Sequence, residues 1–186
     1  MISIINSLLS NIENSEEREL VAFGLRRLVK MTISILAIGI IGAIWGVALY
    51  LYIFMGTFAC LRVFAGGFHM KTELSCGIIS SLFVVGNAML IRFMPSEFYS
   101  NVGLLIFTLI LSALIWIICP VENANKRLYV SEQKKFRWIT RIILLFELSL
   151  CTLAFCYNSI FFVILSISII SVGILVSMQK IINERG

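Results

Sequence analysis

Charge is scarce in this chain. Only 13% of its 186 residues are Asp, Glu, Lys or Arg, and 60% are apolar, whereas a soluble domain carries about 25% charged residues. A soluble enzyme or a soluble binding module is therefore excluded, and nothing points to a nucleic-acid partner. Histidine occurs once, and no CxxC pair exists among the five cysteines (60, 76, 119, 151 and 156). A disulfide framework and a zinc site are both unexpected on that count, and no metal or other cofactor is expected. The opening stretch MISIINSLLSNIENSEERELV has no basic region of the kind that begins a cleavable signal peptide. No internal repeat is evident.

What is present in abundance is long apolar runs, over roughly 31–61, 74–94, 101–120, 142–157 and 159–179. The last four are near the ~20 residues that a helix needs to cross the hydrocarbon of a bilayer, and the first is too long for a single crossing. Charge decides how often to count it. With five crossings and the N-terminus inside, the basic stretch NKRLYVSEQKKFRWITR, 125–141, falls outside. If residues 31–66 instead form a hairpin turning near Trp45 to Leu49, six crossings result. Every Lys and Arg except Arg92 then lies on the cytoplasmic side, as the positive-inside rule favours. The expected fold is all-α: a polytopic membrane protein of six transmembrane helices with an N-terminal amphipathic interfacial helix. It forms one domain over 1–186, an amphipathic region over 1–30 and a membrane bundle over 31–182, with both termini on the cytoplasmic side.

Within 1–30, Ile5, Leu8, Leu9 and Ile12 share one helical face. Asn14 or Ser15 then caps a second helix, with Glu16 and Glu17 in its first turn.

The one histidine lies in GGFHMKTELSC, 66–76, between the second and third crossings on the cytoplasmic side. In one continuous helix His69 and Cys76 would be ~10 Å apart along the axis, too far for proton transfer. Gly66 and Gly67 end the second helix with positive φ, and Thr72 is a good N-cap for a third that carries Glu73 in its first turn. Residues 68–71 then form a loop able to bring His69 back over Cys76. At about the fourth helical position, Cys76 meets the positive end of the dipole, which favours a thiolate. The residues leave two readings open: a Cys/His catalytic pair, or an interfacial histidine beside a small buried cysteine. Cys60, inside an apolar run, ranks below Cys76.

LRVFAGGFHMKTELSC, with Arg62 seven before the histidine and Cys76 seven after it, resembles the accessory gene regulator B family of membrane cysteine endopeptidases. CPVENANKRL, 119–128, is a second match, and length, span order and the basic segment agree across nearly the whole chain. The resemblance implies a cell-membrane protein of a Gram-positive bacterium that processes quorum-sensing propeptides. It implies Cys76 as nucleophile and His69 as base, with Arg62 and Gly67 also required. The substrate it implies is a short amphipathic propeptide that loses its C-terminal tail and is closed to a thiolactone or lactone. No P-loop for ATP is present, and a thioester exchanging for a thiolactone needs none. Membrane lipids are the other partners, and a homodimer is left open.

The cytoplasmic loop expected over 121–141 carries six basic residues against Glu122 and Glu132. Lys126, Arg127, Lys134, Lys135 and Arg137 are candidate substrate-binding residues for an acidic propeptide tail. Topology and anionic lipid account for the same charges equally well. Arg62, Asn87 and Glu147 are costly inside a membrane. They would line a path if the chain were instead a small transporter or channel, and a non-catalytic scaffold is the third class. A transporter should tolerate Cys76→Ala; a peptidase should not.

Overall fold

The structure is a computed structural model, and it describes residues 15–67, 73–121 and 129–185. Among these residues six helices follow one another: α1 (Ser15–Ile44), α2 (Ala48–Ala65), α3 (Glu73–Phe93), α4 (Val102–Ile118), α5 (Val130–Cys156) and α6 (Ile160–Arg185). A short 3₁₀ turn, Ser96–Ser100, precedes α4. Among the described residues there is no strand, only one isolated bridge between Gly66 and Val121. Five of the helices are long and apolar enough to cross a membrane, and α4, with 17 residues, is shorter. At 1.5 Å per residue α4 still spans ~25 Å, the lower limit for a crossing. The chain is an all-α, multi-pass membrane protein.

The connections form where the backbone needs a residue without a Cβ or a polar cap. α1 stops at Gly46, whose φ is +67°, and the Val47 amide bonds back to the Gly42 carbonyl at 2.7 Å. A Cβ on Gly42 would sit 2.6 Å from Ala48 Cα, so only glycine permits so tight a hairpin. α4 is capped by Asn101, whose side chain accepts from the Leu104 amide at 2.9 Å. The α5–α6 turn uses Asn158 with φ +48°, a residue type that tolerates the left-handed region.

α6 is the central helix, packed against α2, α4 and α5, with more than half of its apolar stretch buried. Lipid is as apolar as leucine, so helices in a membrane are joined by close packing and hydrogen bonds more than by hydrophobicity. Both devices are present. Gly173 of α6 lets Leu111 of α4 approach. Thr57 of α2 donates to Ser168 of α6 at 3.1 Å, and Cys151 of α5 lies 3.5 Å from the Ser166 hydroxyl. α1 is the peripheral helix; almost all of its surface is open to its surroundings.

Aromatic contacts show which connections share an end of the bundle. Trp45 meets Phe93 at 6.0 Å and Tyr50 meets Phe161 at 5.9 Å, so the first hairpin, the α3–α4 connection and the α5–α6 turn lie together. Phe64 meets Phe136 at 5.8 Å at the other end, where α2 finishes and α5 begins. That end also carries Arg62, Lys134, Lys135, Arg137 and Arg141 and is called the basic end below.

The hairpin expected between residues 31 and 66 is present, turning at Trp45–Val47. Two expected boundaries move. No break separates an interfacial region ending at residue 30 from the first crossing, because α1 runs unbroken from Ser15 to Ile44. Its Glu, Arg, Lys and Leu residues are all strong helix formers, so charge near residue 30 marks a change of surroundings and not a helix end. The segment expected as a loop over 121–141 is helical from Val130. There the Glu132 carboxylate accepts from the Tyr129 amide at 3.1 Å, half of a capping box that starts α5 early. The amphipathic face Ile5–Ile12 and the Asn14 cap lie outside the described residues.

Candidate active site

At the basic end, α2 ends in a turn held from three directions. Arg62 belongs to its last turn. The Gly66 amide donates to the Arg62 carbonyl at 3.1 Å, and Arg62 Nη1 donates to the Gly66 carbonyl at 3.3 Å. One arginine thus binds both ends of the Gly66 residue. The third hold comes from far along the chain: the Val121 amide donates to the Ala65 carbonyl at 3.0 Å.

Glycine is needed twice in this turn. Gly66 has φ +77° and ψ −151°, a combination essentially restricted to glycine. A Cβ there would collide with the Val121 carbonyl oxygen. Gly67, buried, has φ +118°, and a Cβ on it would lie 2.9 Å from Arg62 Nη1 and 3.4 Å from the Leu175 backbone of α6. The expected positive φ at both glycines is therefore found, and the turn is clamped between Arg62, α6 and the segment after α4.

Cys76 is the fourth residue of α3, as the glycine and Thr72 signals predict. It is half-buried, and the Arg62 guanidinium is within electrostatic range of it. His69 lies outside the described residues, as do Lys71 and Thr72. The structure thus brings Arg62, Gly67 and Cys76 to one end of α2 and α3. The other cysteines differ in setting. Cys119 is buried at the C-terminal end of α4. Cys151 is buried beside the Phe162 carbonyl and Ser166, while Cys60 and Cys156 are exposed on apolar helices.

Of the candidate substrate-binding residues, Lys134, Lys135 and Arg137 lie exposed on the first two turns of α5. Lys126 and Arg127 lie outside the described residues. Arg141, one turn deeper, is occupied otherwise: its guanidinium stacks 4.7 Å over the Trp116 ring and donates to the Trp116 carbonyl at 3.4 Å, fastening α5 to α4.

Asn87 donates to the Phe83 carbonyl of its own helix at 2.8 Å. Glu147 is buried in the bundle, and its Oε2 has no hydrogen-bond partner among the described residues.

Residues of the Cys119–Val121 segment were legible only as part of a motif. Their place against Gly66 has no local signal, because it joins two connections more than fifty residues apart in sequence.

The family model for accessory gene regulator B matches residues 1–180. An AgrB-like protein of Clostridium perfringens (strain SM101) is similar at 30% identity over 128 residues, 66% of this chain and 59% of the relative. An AgrB-like protein of Halalkalibacterium halodurans is 28% identical over 142 residues, 73% of this chain and 67% of the relative. The chain spans about three fifths of the length of the Clostridium relatives it matches. No solved structure matches it.

Proposed function

The chain belongs to the accessory gene regulator B family, and from that premise we propose that it is a membrane-embedded cysteine endopeptidase acting on a quorum-sensing propeptide. Family membership supports a part in accessory gene regulator quorum sensing. The observation that carries the finer reading is the setting of Cys76: a half-buried thiol in the first turn of α3, electrostatically facing Arg62 beside the clamped double-glycine turn. The thiolate of such a cysteine is the form that attacks.

In this reading His69 takes the Cys76 proton, and the sulfur attacks a peptide carbonyl carbon of the propeptide. The carbon–nitrogen bond breaks as the His69 imidazolium protonates the departing amine of the C-terminal tail. A thioester joins Cys76 to the remaining peptide. Exclusion of water preserves it until a cysteine thiol or serine hydroxyl of the same peptide attacks the carbonyl carbon. The thioester bond then breaks, the ring closes as a thiolactone or lactone, and the Cys76 thiol is restored. Lys134, Lys135 and Arg137, with Lys126 and Arg127, attract the acidic tail.

The test is propeptide cleavage in membranes. Cys76→Ala and His69→Ala should each abolish it with the protein still folded, and Cys76→Ser should leave little, because an alkoxide is much harder to form than a thiolate. Substantial cleavage by either alanine variant defeats the reading. A transporter would keep its activity in both.

A further inference from the structure

We propose that the backbone pairing between Ala65–Gly66 and Val121 is the positioning element of this active site, and that Gly66 is a positioning residue acting through it. The inference rests on the Cys76–His69 reading above and adds a residue that the sequence motif alone does not single out.

Among the described residues, the Val121 N–H to Ala65 carbonyl bond is the only backbone hydrogen bond that is not local. In a helical bundle the backbone groups are satisfied within each helix, and packing of side chains normally sets where the helices lie. Here one backbone bond ties the α2–α3 connection directly to the α4–α5 connection. The first of these carries His69 and leads to Cys76. The second leads to the basic turns of α5. A shift of the Val121 segment therefore bears on the connection that carries the dyad.

Gly66 makes the pairing possible in two ways. Its φ and ψ belong to glycine, and its missing Cβ is the space that the Val121 carbonyl fills. Alanine at 66 must leave that conformation and push Val121 away together. Gly67 follows at once and has no room to absorb the change, since Arg62 and the Leu175 backbone confine it. The change is therefore passed on along the chain, which carries His69 two residues after Gly67 and Cys76 nine after it. A reacting group held to within tenths of an ångström loses about a hundredfold in rate when moved by ~1 Å. Substrate binding, which depends on groups spread over a larger surface, is much less sensitive.

The pairing is tested on the full chain in lipid vesicles with three measurements: kcat, KM for the propeptide, and the rate at which an uncharged iodoacetamide modifies Cys76, located by peptide mass. Gly66→Ala should lower kcat at least tenfold, leave KM within about threefold, and slow Cys76 modification several-fold. Gly56→Ala is the control; it lies in the same helix with open space around it and should change none of the three.

Should Gly66→Ala fail to fold, a gentler change answers the question. Replacing the Val121 N–H by an ester oxygen, with the α-hydroxy analogue of valine at that position, removes only the hydrogen bond. It should lower kcat and the modification rate in the same direction at unchanged KM. If the ester variant matches the parent in kcat and in Cys76 modification, the proposal is wrong. If His69→Ala also leaves the Cys76 modification rate unchanged, the dyad reading falls and the positioning role falls with it. A slowed rate in His69→Ala with no effect of the ester overturns the positioning role alone.

Discussion

The Tyr52 hydroxyl of α2 donates to the Ile35 carbonyl of α1 across 3.0 Å. The ring reaches that carbonyl through the space left by Gly39, where a Cβ would collide with the phenol oxygen. The first hairpin is thereby closed at its turn, by Gly42 and Gly46, and again two turns deeper.

This makes Gly39 a stability determinant. Tyr52→Phe removes one hydrogen bond and should cost about 1 kcal/mol. Gly39→Ala should cost more, about 1–3 kcal/mol, because the ring is displaced as well as its bond. Thermal unfolding in detergent measures both, and a Gly39→Ala protein as stable as its parent would show that α1 and α2 pack differently.

The six-pass arrangement predicts a labelling pattern in a cysteine-free variant. Ala48→Cys and Glu97→Cys, at the end of the first hairpin, should react with an impermeant thiol reagent added outside intact cells. Ser131→Cys, at the basic end, should react only after permeabilisation. The positive-inside rule sets this sense, because Lys and Arg gather at the basic end while Arg92 stands at the other. Labelling of Ser131→Cys from outside would reverse the orientation.

Capture of an acidic tail predicts a separation of kinetic constants. Changing Lys134, Lys135 and Arg137 together to glutamine should raise KM roughly tenfold at low salt with little change in kcat. The effect should shrink near physiological ionic strength, where screening acts over about 8 Å. A matched substrate with a neutral tail should be nearly indifferent. Equal KM values for both substrates at low salt would leave these charges to topology or lipid.

Glu147 predicts an unusual stabilisation. It is 3% exposed, and its Oε2 has no hydrogen-bond partner among the described residues. A buried polar atom without a partner costs about 1–3 kcal/mol. Glu147→Met, of similar length and apolar, should therefore raise stability by about that amount in thermal unfolding. A lower melting temperature would mean that the carboxyl is satisfied in the membrane.

The sequence determined those features that are encoded within a few turns of helix. Apolar length set where the crossings lie, and the scarcity of charge set the membrane class. Gly66 and Gly67 announced where α2 ends, since tolerance of positive φ is a property of the residue itself. The place of Cys76 four residues into α3 followed from the Thr72–Glu73 start. The distribution of Lys and Arg distinguished the six-pass chain from a five-pass one. The start of α5 was less legible, because a basic, lysine-rich segment reads equally as a solvated loop or as the first turns of a helix. Glu132 capping Tyr129 resolved it.

Only the tertiary structure decided which faces meet. In a soluble protein hydropathy separates buried from exposed positions, but here lipid and protein interior are equally apolar, so the same leucine suits either. That α6 is the core and α1 the periphery therefore has no signature in hydropathy. Neither has the burial of Glu147, nor the Asn87 bond within its own helix. The approach of Val121 to Gly66 joins positions that share no helix face or local pattern. It exists because α4 packs on α6 and carries its C-terminal end to the turn where α2 finishes.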